Sequence, residues 1–333
     1  MKLKFAKKIL MLVMCSVLLC GCMQTKESTS SETPFTDAVE VQEVIIENEA
    51  VALADSPAAV PTSVVSEIKK PQASGINLKK SDKAEIDYSN VAEGYVMVKY
   101  TKPTTKAIRS QVKGPSTTYT YTVSPENWEV FPLSDGNGKY QVTVFENVQG
   151  TKYAVLTSVS FTVDLKDEFA PYISSNQYVN YENAVNTIAK AQELTGNIAD
   201  PLQKVQKVYE YVVNNFTYDK QKAATVQSGY LPVLDNVLEA KKGICFDYAS
   251  LMTGMLRSQG VPCKLVVGYA GTAYHAWISV WSEETGWVDG IIYFDGKTWH
   301  RMDPTFASSG KNNAEAMARY IGDGSNYTAK YFY

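Results

Sequence analysis

At 333 residues the chain exceeds one average domain of roughly 100–200 residues, and its 45% hydrophobic, 11% aromatic and 20% charged composition fits an ordinary globular protein with two domains. Its 32 basic and 35 acidic residues become 28 against 35 without residues 1–21, which hold Lys2, Lys4, Lys7 and Lys8 and no acid. A chain of that sign is not a nucleic-acid binder, and its 22 tyrosines against 11 phenylalanines predict tyrosine-rich strands.

Met1 to Lys8 is basic and Ile9 to Leu19 apolar, the n-region and h-region of a secretory signal that is too short to span a bilayer comfortably. The run closes on Leu19, Cys20, Gly21 and Cys22, which resembles the lipobox of bacterial lipoproteins, with Cys20 where Ala or Ser is more usual. The resemblance implies a signal peptide over residues 1–21, diacylation of Cys22, and lipid anchoring on the extracytoplasmic face of the cell membrane. A plain secretory signal or an uncleaved anchor is the alternative. Cys15 and Cys20 leave with the signal and Cys22 takes the lipid, so Cys245 and Cys263 remain and a disulfide framework is excluded by number.

Residues 22–80 are rich in Ser, Thr, Ala, Pro and Glu without a sustained period, and read as a disordered acylated tether. Over residues 81–170 the pattern turns to period two. Tyr119, Tyr121 and Val123 alternate with threonines, Tyr140, Val142 and Val144 with Gln141 and Thr143, and Val155, Val159, Phe161 and Val163 share a face. With turns at Lys113 to Pro115, Ser134 to Gly138 and Gln149 to Gly150, five to seven strands fit a small immunoglobulin-like β-sandwich. The segment Asp135 to Gly138 reads as a hairpin turn rather than a calcium loop, since it lacks enough acidic ligands.

Residues 171–333 form the second domain, where helical signals take over. Asp200 as N-cap, Pro201 at the first helical position and Gln203 open a helix whose stripe is Val205, Val208, Tyr209 and Val212, ending near Asn214. A second helix runs from Cys245 to Ser258 and is stopped by Gly260 and Pro262. Cys245 thus sits at a helix N-terminus, where unpaired N–H groups and the macrodipole favour thiolate over thiol. Cys263, at the far end of that helix, reads as a small core residue. Of the two histidines, His275 opens the strand-like run to Trp281 and suits a general base, whereas His300 lies in a charged, half-exposed strand. Asp303, followed by Pro304, suits the third role of orienting the imidazole. Asp247, near the helix start, is read as stabilising the helix N-terminus, with a second catalytic acid as the alternative. Trp277 and Trp281 could wall a peptide cleft, with core packing as the alternative. Tyr230, upstream of the cysteine helix, is a candidate oxyanion donor beside the Cys245 N–H. No cofactor or metal site is implied, because the cysteines and histidines offer no ligand cluster.

In order and spacing, Gly243 to Leu251, Gly260 to Tyr269, His275 to Trp277 and Met302 to Thr305 resemble the transglutaminase-like core of papain-like fold, over residues 200 to 306. The resemblance implies an α+β domain in which a helix bearing Cys245 packs on an antiparallel sheet carrying His275 and Asp303. It also implies cysteine-dependent acyl transfer on amides through a thioester, as a peptidase or amidase, or as a transglutaminase. The partner would be a peptide, protein or cell-wall stem. The competing reading is an inactive surface lipoprotein that binds or scaffolds.

Overall fold

The computed structural model describes residues 70–283, 286–289, 292–294, 299–301 and 326–333. The described residues open with eight strands: β1 (Leu78–Lys80), β2 (Ala84–Asp87), β3 (Tyr95–Tyr100), β4 (Ile108–Lys113), β5 (Thr118–Thr122), β6 (Trp128–Pro132), β7 (Gly138–Gln149) and β8 (Lys152–Val163). They build two antiparallel sheets, ordered β1-β2-β3-β6 and β5-β4-β7-β8. Because side chains alternate along a strand, Tyr119 and Tyr121 of β5 and Tyr140, Val142 and Val144 of β7 turn inward. There they join Ile86, Val96 and Val98 of the other sheet in one buried cluster.

Three expectations are corrected here. Between residues 81 and 170 the strands number seven, within the expected five to seven, but one more, β1, comes from the stretch read as tether. Ordered chain reaches further back because its backbone donors are taken up: Gln72 N by the Tyr95 hydroxyl (3.0 Å), Gly75 N by Asp87 Oδ2 (2.6 Å) and Asn77 N by Ser89 Oγ (2.8 Å). The segment Asp135 to Gly138 joins β6 to β7, which lie in different sheets, so it closes no hairpin. Instead, Asp135 Oδ2 accepts from Ser116 N (2.9 Å) and Thr117 N (2.7 Å), fixing the turn between β4 and β5. Val155 leaves the face of Val159 and Val163 and is exposed, because the β7–β8 register shifts next to it and a one-residue slip reverses the face.

Helices follow. They are α1 (Val185–Thr195) and α2 (Pro201–Asn215), then β9 (Thr217–Tyr218), α3 (Lys220–Thr225), α4 (Leu234–Ala240), β10 (Lys242–Gly243) and α5 (Cys245–Ser258). The start of α2 is the expected one: Asp200 Oδ1 accepts from Leu202 N (2.8 Å) and Gln203 N (3.4 Å), and Val205, Val208, Tyr209 and Val212 are buried. An antiparallel sheet ordered β13-β12-β11-β16 comes next, from β11 (Cys263–Ala270), β12 (Ala273–Ser282), β13 (Gly286–Asp289) and, after the hairpin of β14 (Ile292–Phe294) and β15 (Trp299–Arg301), β16 (Tyr327–Phe332). Helix α5 packs against β11, β12, α1, α2 and α4, and every one of its 14 residues is buried.

Two devices join the strand-rich and helical parts. Tyr333 meets Tyr178 (4.4 Å between centroids), Tyr119 (5.6 Å) and Tyr121 (5.9 Å), and Tyr178 meets Phe246 beside Cys245 (5.5 Å). Such ring pairs contribute about 0.5–1.5 kcal/mol each beyond the area they bury. The second device is Arg257, 2% exposed in the last turn of α5. Its Nε and Nη2 donate to Cys263 O (2.9 and 2.7 Å), Nη1 to Ser174 O (2.7 Å) and Nη2 also to Tyr333 O (2.7 Å). Burial lowers its pKa to about 10, so the guanidinium stays charged at neutral pH.

Arg257→Met keeps the volume but removes the guanidinium from Cys263 O and Ser174 O and leaves Tyr333 O with the Leu265 N–H, and the mutant should lose about 3 kcal/mol or more in urea unfolding. A loss under about 1 kcal/mol would show that these carbonyls find other partners.

Candidate active site

The head of α5 is fixed before the helix begins. β9 and β10 pair in parallel, Thr217 with Lys242 and Tyr218 with Gly243, and Asp219 N donates to Gly243 O (2.8 Å). Ile244 is the extended N-cap, with no polar side chain to offer, and Cys245 is the first helical residue, 1% exposed. The backbone N–H groups of the first turn therefore point past the thiol, and the helix dipole favours negative charge there.

Asp247 supplies what Ile244 lacks. Its Oδ2 accepts from Ile244 N (2.8 Å), which is one half of a capping box, and stabilises the helix N-terminus as the sequence suggests. The carboxylate is fully buried and receives two more donors: Lys222 Nζ on Oδ2 (2.6 Å) and the Tyr230 hydroxyl on Oδ1 (2.5 Å). Lys222 also donates to the Tyr230 hydroxyl (2.7 Å) and lies 4.2 Å from the centre of its ring. Gly243 is required here by space, since a Cβ would stand 2.7 Å from Asp247 Cβ and 2.8 Å from Oδ2.

His275 lies on β12, the strand against which α5 packs, and is 1% exposed. Ala276, Ile278 and Val280 enter the apolar cluster shared with α5, while His275 and Trp277 take the alternate positions. There Tyr327 meets His275 at 6.2 Å and Trp277 at 5.2 Å. Gly268 is paired with His275 across the sheet and must lack a side chain: a Cβ would lie 2.1 Å from Thr328 O and 2.9 Å from the Trp277 ring.

The structure thus sets Cys245 and His275 on two elements in contact. Asp303 and Cys22 lie outside the described residues. His300 falls on β15, in the β14–β15 hairpin. Tyr230 is corrected as an oxyanion donor: its single hydroxyl proton is directed to Asp247, and burial followed by that hydrogen bond pushes the phenol pKa upward. Trp277 is 3% exposed and packs rather than walls an open cleft, while Trp281 contacts Phe169 (4.8 Å) and Trp287 (5.7 Å). Sequence reasoning missed Lys222, because nothing local distinguishes it from the lysines at 220, 241 and 242. Among the described residues no group of three or more His, Cys, Asp and Glu is placed to hold a metal ion.

Residues 188–290, which contain both Cys245 and His275, match the model of the transglutaminase-like superfamily. The chain carries a transglutaminase-like domain. Over 128 residues it is 26% identical to a protein-glutamine gamma-glutamyltransferase of Pseudomonas aeruginosa, a match covering 34% of this chain and 17% of that one. Over 147 residues it is 26% identical to the uncharacterized protein YebA of Bacillus subtilis, covering 38% and 20%. The chain thus spans about a fifth or less of the length of these curated relatives. Among solved structures it resembles a candidate cysteine protease of Cytophaga hutchinsonii (13% identity, TM-score 0.34, 78% and 81% covered). It also resembles red sea bream transglutaminase (12% identity, TM-score 0.27, 63% and 48% covered).

The transglutaminase-like domain holds its second cysteine out of play. Cys263 is fully buried, and burial pushes its thiol up to about 12 despite the nearby Arg257 charge. Below that value it stays a neutral thiol, and only the thiolate is nucleophilic. Native protein treated with iodoacetamide at pH 7 to 9 should carry no label on Cys263 until denaturant is added. Labelling of Cys263 at the rate of an exposed thiol would contradict this burial.

Proposed function

We propose that the chain is a cysteine-dependent acyl-transfer enzyme acting on peptide or amide bonds, with Cys245 as nucleophile, His275 as general base and acid, and Asp303 as the group that orients the imidazole. One observation carries the reading. Cys245 is the first residue of a helix buried throughout, inside the span that matches the transglutaminase-like superfamily, and that helix packs on the strand bearing the one histidine of the span.

The residues assign the steps. His275 takes the thiol proton, and the thiolate attacks the amide carbonyl carbon, whose C=O electrons move to oxygen. The Cys245 N–H faces that developing oxyanion. On collapse the C–N bond breaks, the amine leaves with the proton from His275, and a thioester remains. Water then gives an acid and makes the chain a peptidase or amidase; an amine gives a new amide and makes it a transglutaminase. The substrate class is a peptide, a protein or a cell-wall stem, outside the cytoplasm, with the chain held by lipid on Cys22.

In the full chain, alkylation of Cys245 by iodoacetamide should rise with a pH midpoint below the ordinary thiol value of about 8.5, and His275→Ala should remove the low-pH reactivity. Equal, slow labelling of both proteins would remove the catalytic reading. For the anchor, Cys22→Ala should release the protein from membranes to the soluble fraction, and continued firm attachment would count against lipidation at this position.

A further inference from the structure

A helix that bears a nucleophilic thiolate at its first position gains from having no negative charge close by. Helix α5 nevertheless places a fully buried carboxylate two residues from Cys245. Asp247 has a structural task there, because Ile244 has no side-chain acceptor and Asp247 Oδ2 takes the Ile244 N–H, one of the unpaired donors at that end. An uncompensated buried carboxylate in the same first turn opposes ionisation of the thiol and works against the helix dipole.

The compensation comes from a different element. Lys222, on α3, sets its ammonium 2.6 Å from Asp247 Oδ2, and its remaining contacts, with the hydroxyl and ring of Tyr230, hold it there. Asp219 caps α3 at Lys222 N (3.0 Å) and pairs with Lys242 of β10 (3.3 Å), so the segment that delivers the lysine is tied to the strand leading into α5. Among the described residues, the charged and titratable groups around the head of α5 include Asp247 and Tyr248 on the helix, Lys222 and Tyr230 against it, and Tyr218 of β9 paired with Gly243. The Asp219–Lys242 pair lies beside β10, and His275 lies on β12.

We propose that Lys222 is a positioning residue for the Cys245 thiolate: its ammonium cancels the Asp247 carboxylate that caps α5, leaving the helix N-terminus and His275 free to hold the thiol ionised. The inference rests on the reading of Cys245 as nucleophile and adds a residue that the family match does not assign.

The two members of the pair act on the thiol in opposite senses. In Lys222→Met the carboxylate stands alone and disfavours thiolate. In Asp247→Asn the amide oxygen still accepts from Ile244 N, the ammonium stands alone and thiolate is favoured. The double variant carries neither charge. The experiment is the pH profile of iodoacetamide labelling of Cys245, read on its own peptide by mass spectrometry in the full chain. Wild type, the two single variants, the double variant and His275→Ala are compared, with thermal unfolding recorded for each.

Relative to wild type, the midpoint should rise by roughly one pH unit in Lys222→Met and fall in Asp247→Asn. It should return to near the wild-type value in the double variant. Shifts of the same sign in both single variants, or none in either, while wild type retains its His275-dependent low midpoint, would overturn the role of Lys222 and leave the nucleophile intact. A wild-type midpoint at the ordinary thiol value, unmoved by His275→Ala, would overturn both. A variant that unfolds early is replaced by its counterpart, Lys222→Gln or Asp247→Ser, and the opposite signs still decide.

Discussion

All 14 residues of α5 are buried, so the polar groups at its ends depend on partners within the protein. The first turn of N–H groups and the last turn of carbonyls must find fixed partners or cost the full desolvation of each group. Much of the chain answers that constraint. At the N-terminal end, the partner is Asp247, which in turn needs Lys222 and Tyr230. At the C-terminal end Gln259 N and Val261 N donate to Leu256 O and Gly260 N to Arg257 O, while the Arg257 side chain brings a positive charge to the negative pole of the dipole and gathers Cys263 O, Ser174 O and Tyr333 O. The same helix therefore seats the nucleophile at one end and binds the chain terminus and the segment leaving the strand-rich part at the other.

This arrangement separates two demands that conflict in a cysteine site. Reactivity wants an electropositive, partly desolvated thiol; a buried helix wants a carboxylate at its first turn. Pairing that carboxylate with a half-buried lysine from another element meets both, at the cost of desolvating the carboxylate, which is offset only when its remaining hydrogen bonds are made. Here the remaining ones are made by Ile244 N and the Tyr230 hydroxyl. The aromatic chain from Tyr119 and Tyr121 through Tyr333 and Tyr178 to Phe246 places the strand-rich part in the packing around the same helix, so its influence on the site runs through core contacts.

What was legible in the sequence is what local chemistry determines. Asp200 before Pro201, Gly260 and Pro262 after Ser258, and the alternation of Tyr119, Tyr121 and Val123 each carry their own signal, and the elements they mark are present. Cys245 and His275 were legible because few residues of their kind exist in the chain. What escaped depends on pairing over distance. β16 joins β11 some sixty residues later in the chain, Arg257 reaches Ser174 and Tyr333, and Lys222 reaches Asp247. The place of Tyr230 before the cysteine helix points to the site, and it does reach the head of α5, but its proton goes to a carboxylate that sequence position alone does not reveal. The slip that exposes Val155 has the same origin, since register is decided across strands.

Acyl transfer through a covalent thioester on Cys245 is the central claim, and an activated ester tests it without knowledge of the natural substrate. Mixed with excess p-nitrophenyl acetate, the chain should release a burst of nitrophenolate equal to the enzyme present, with an acetyl group on the Cys245 peptide that hydroxylamine removes. Cys245→Ser should lose that burst. Steady release with no burst, no adduct on Cys245 and no change in the serine variant would contradict it.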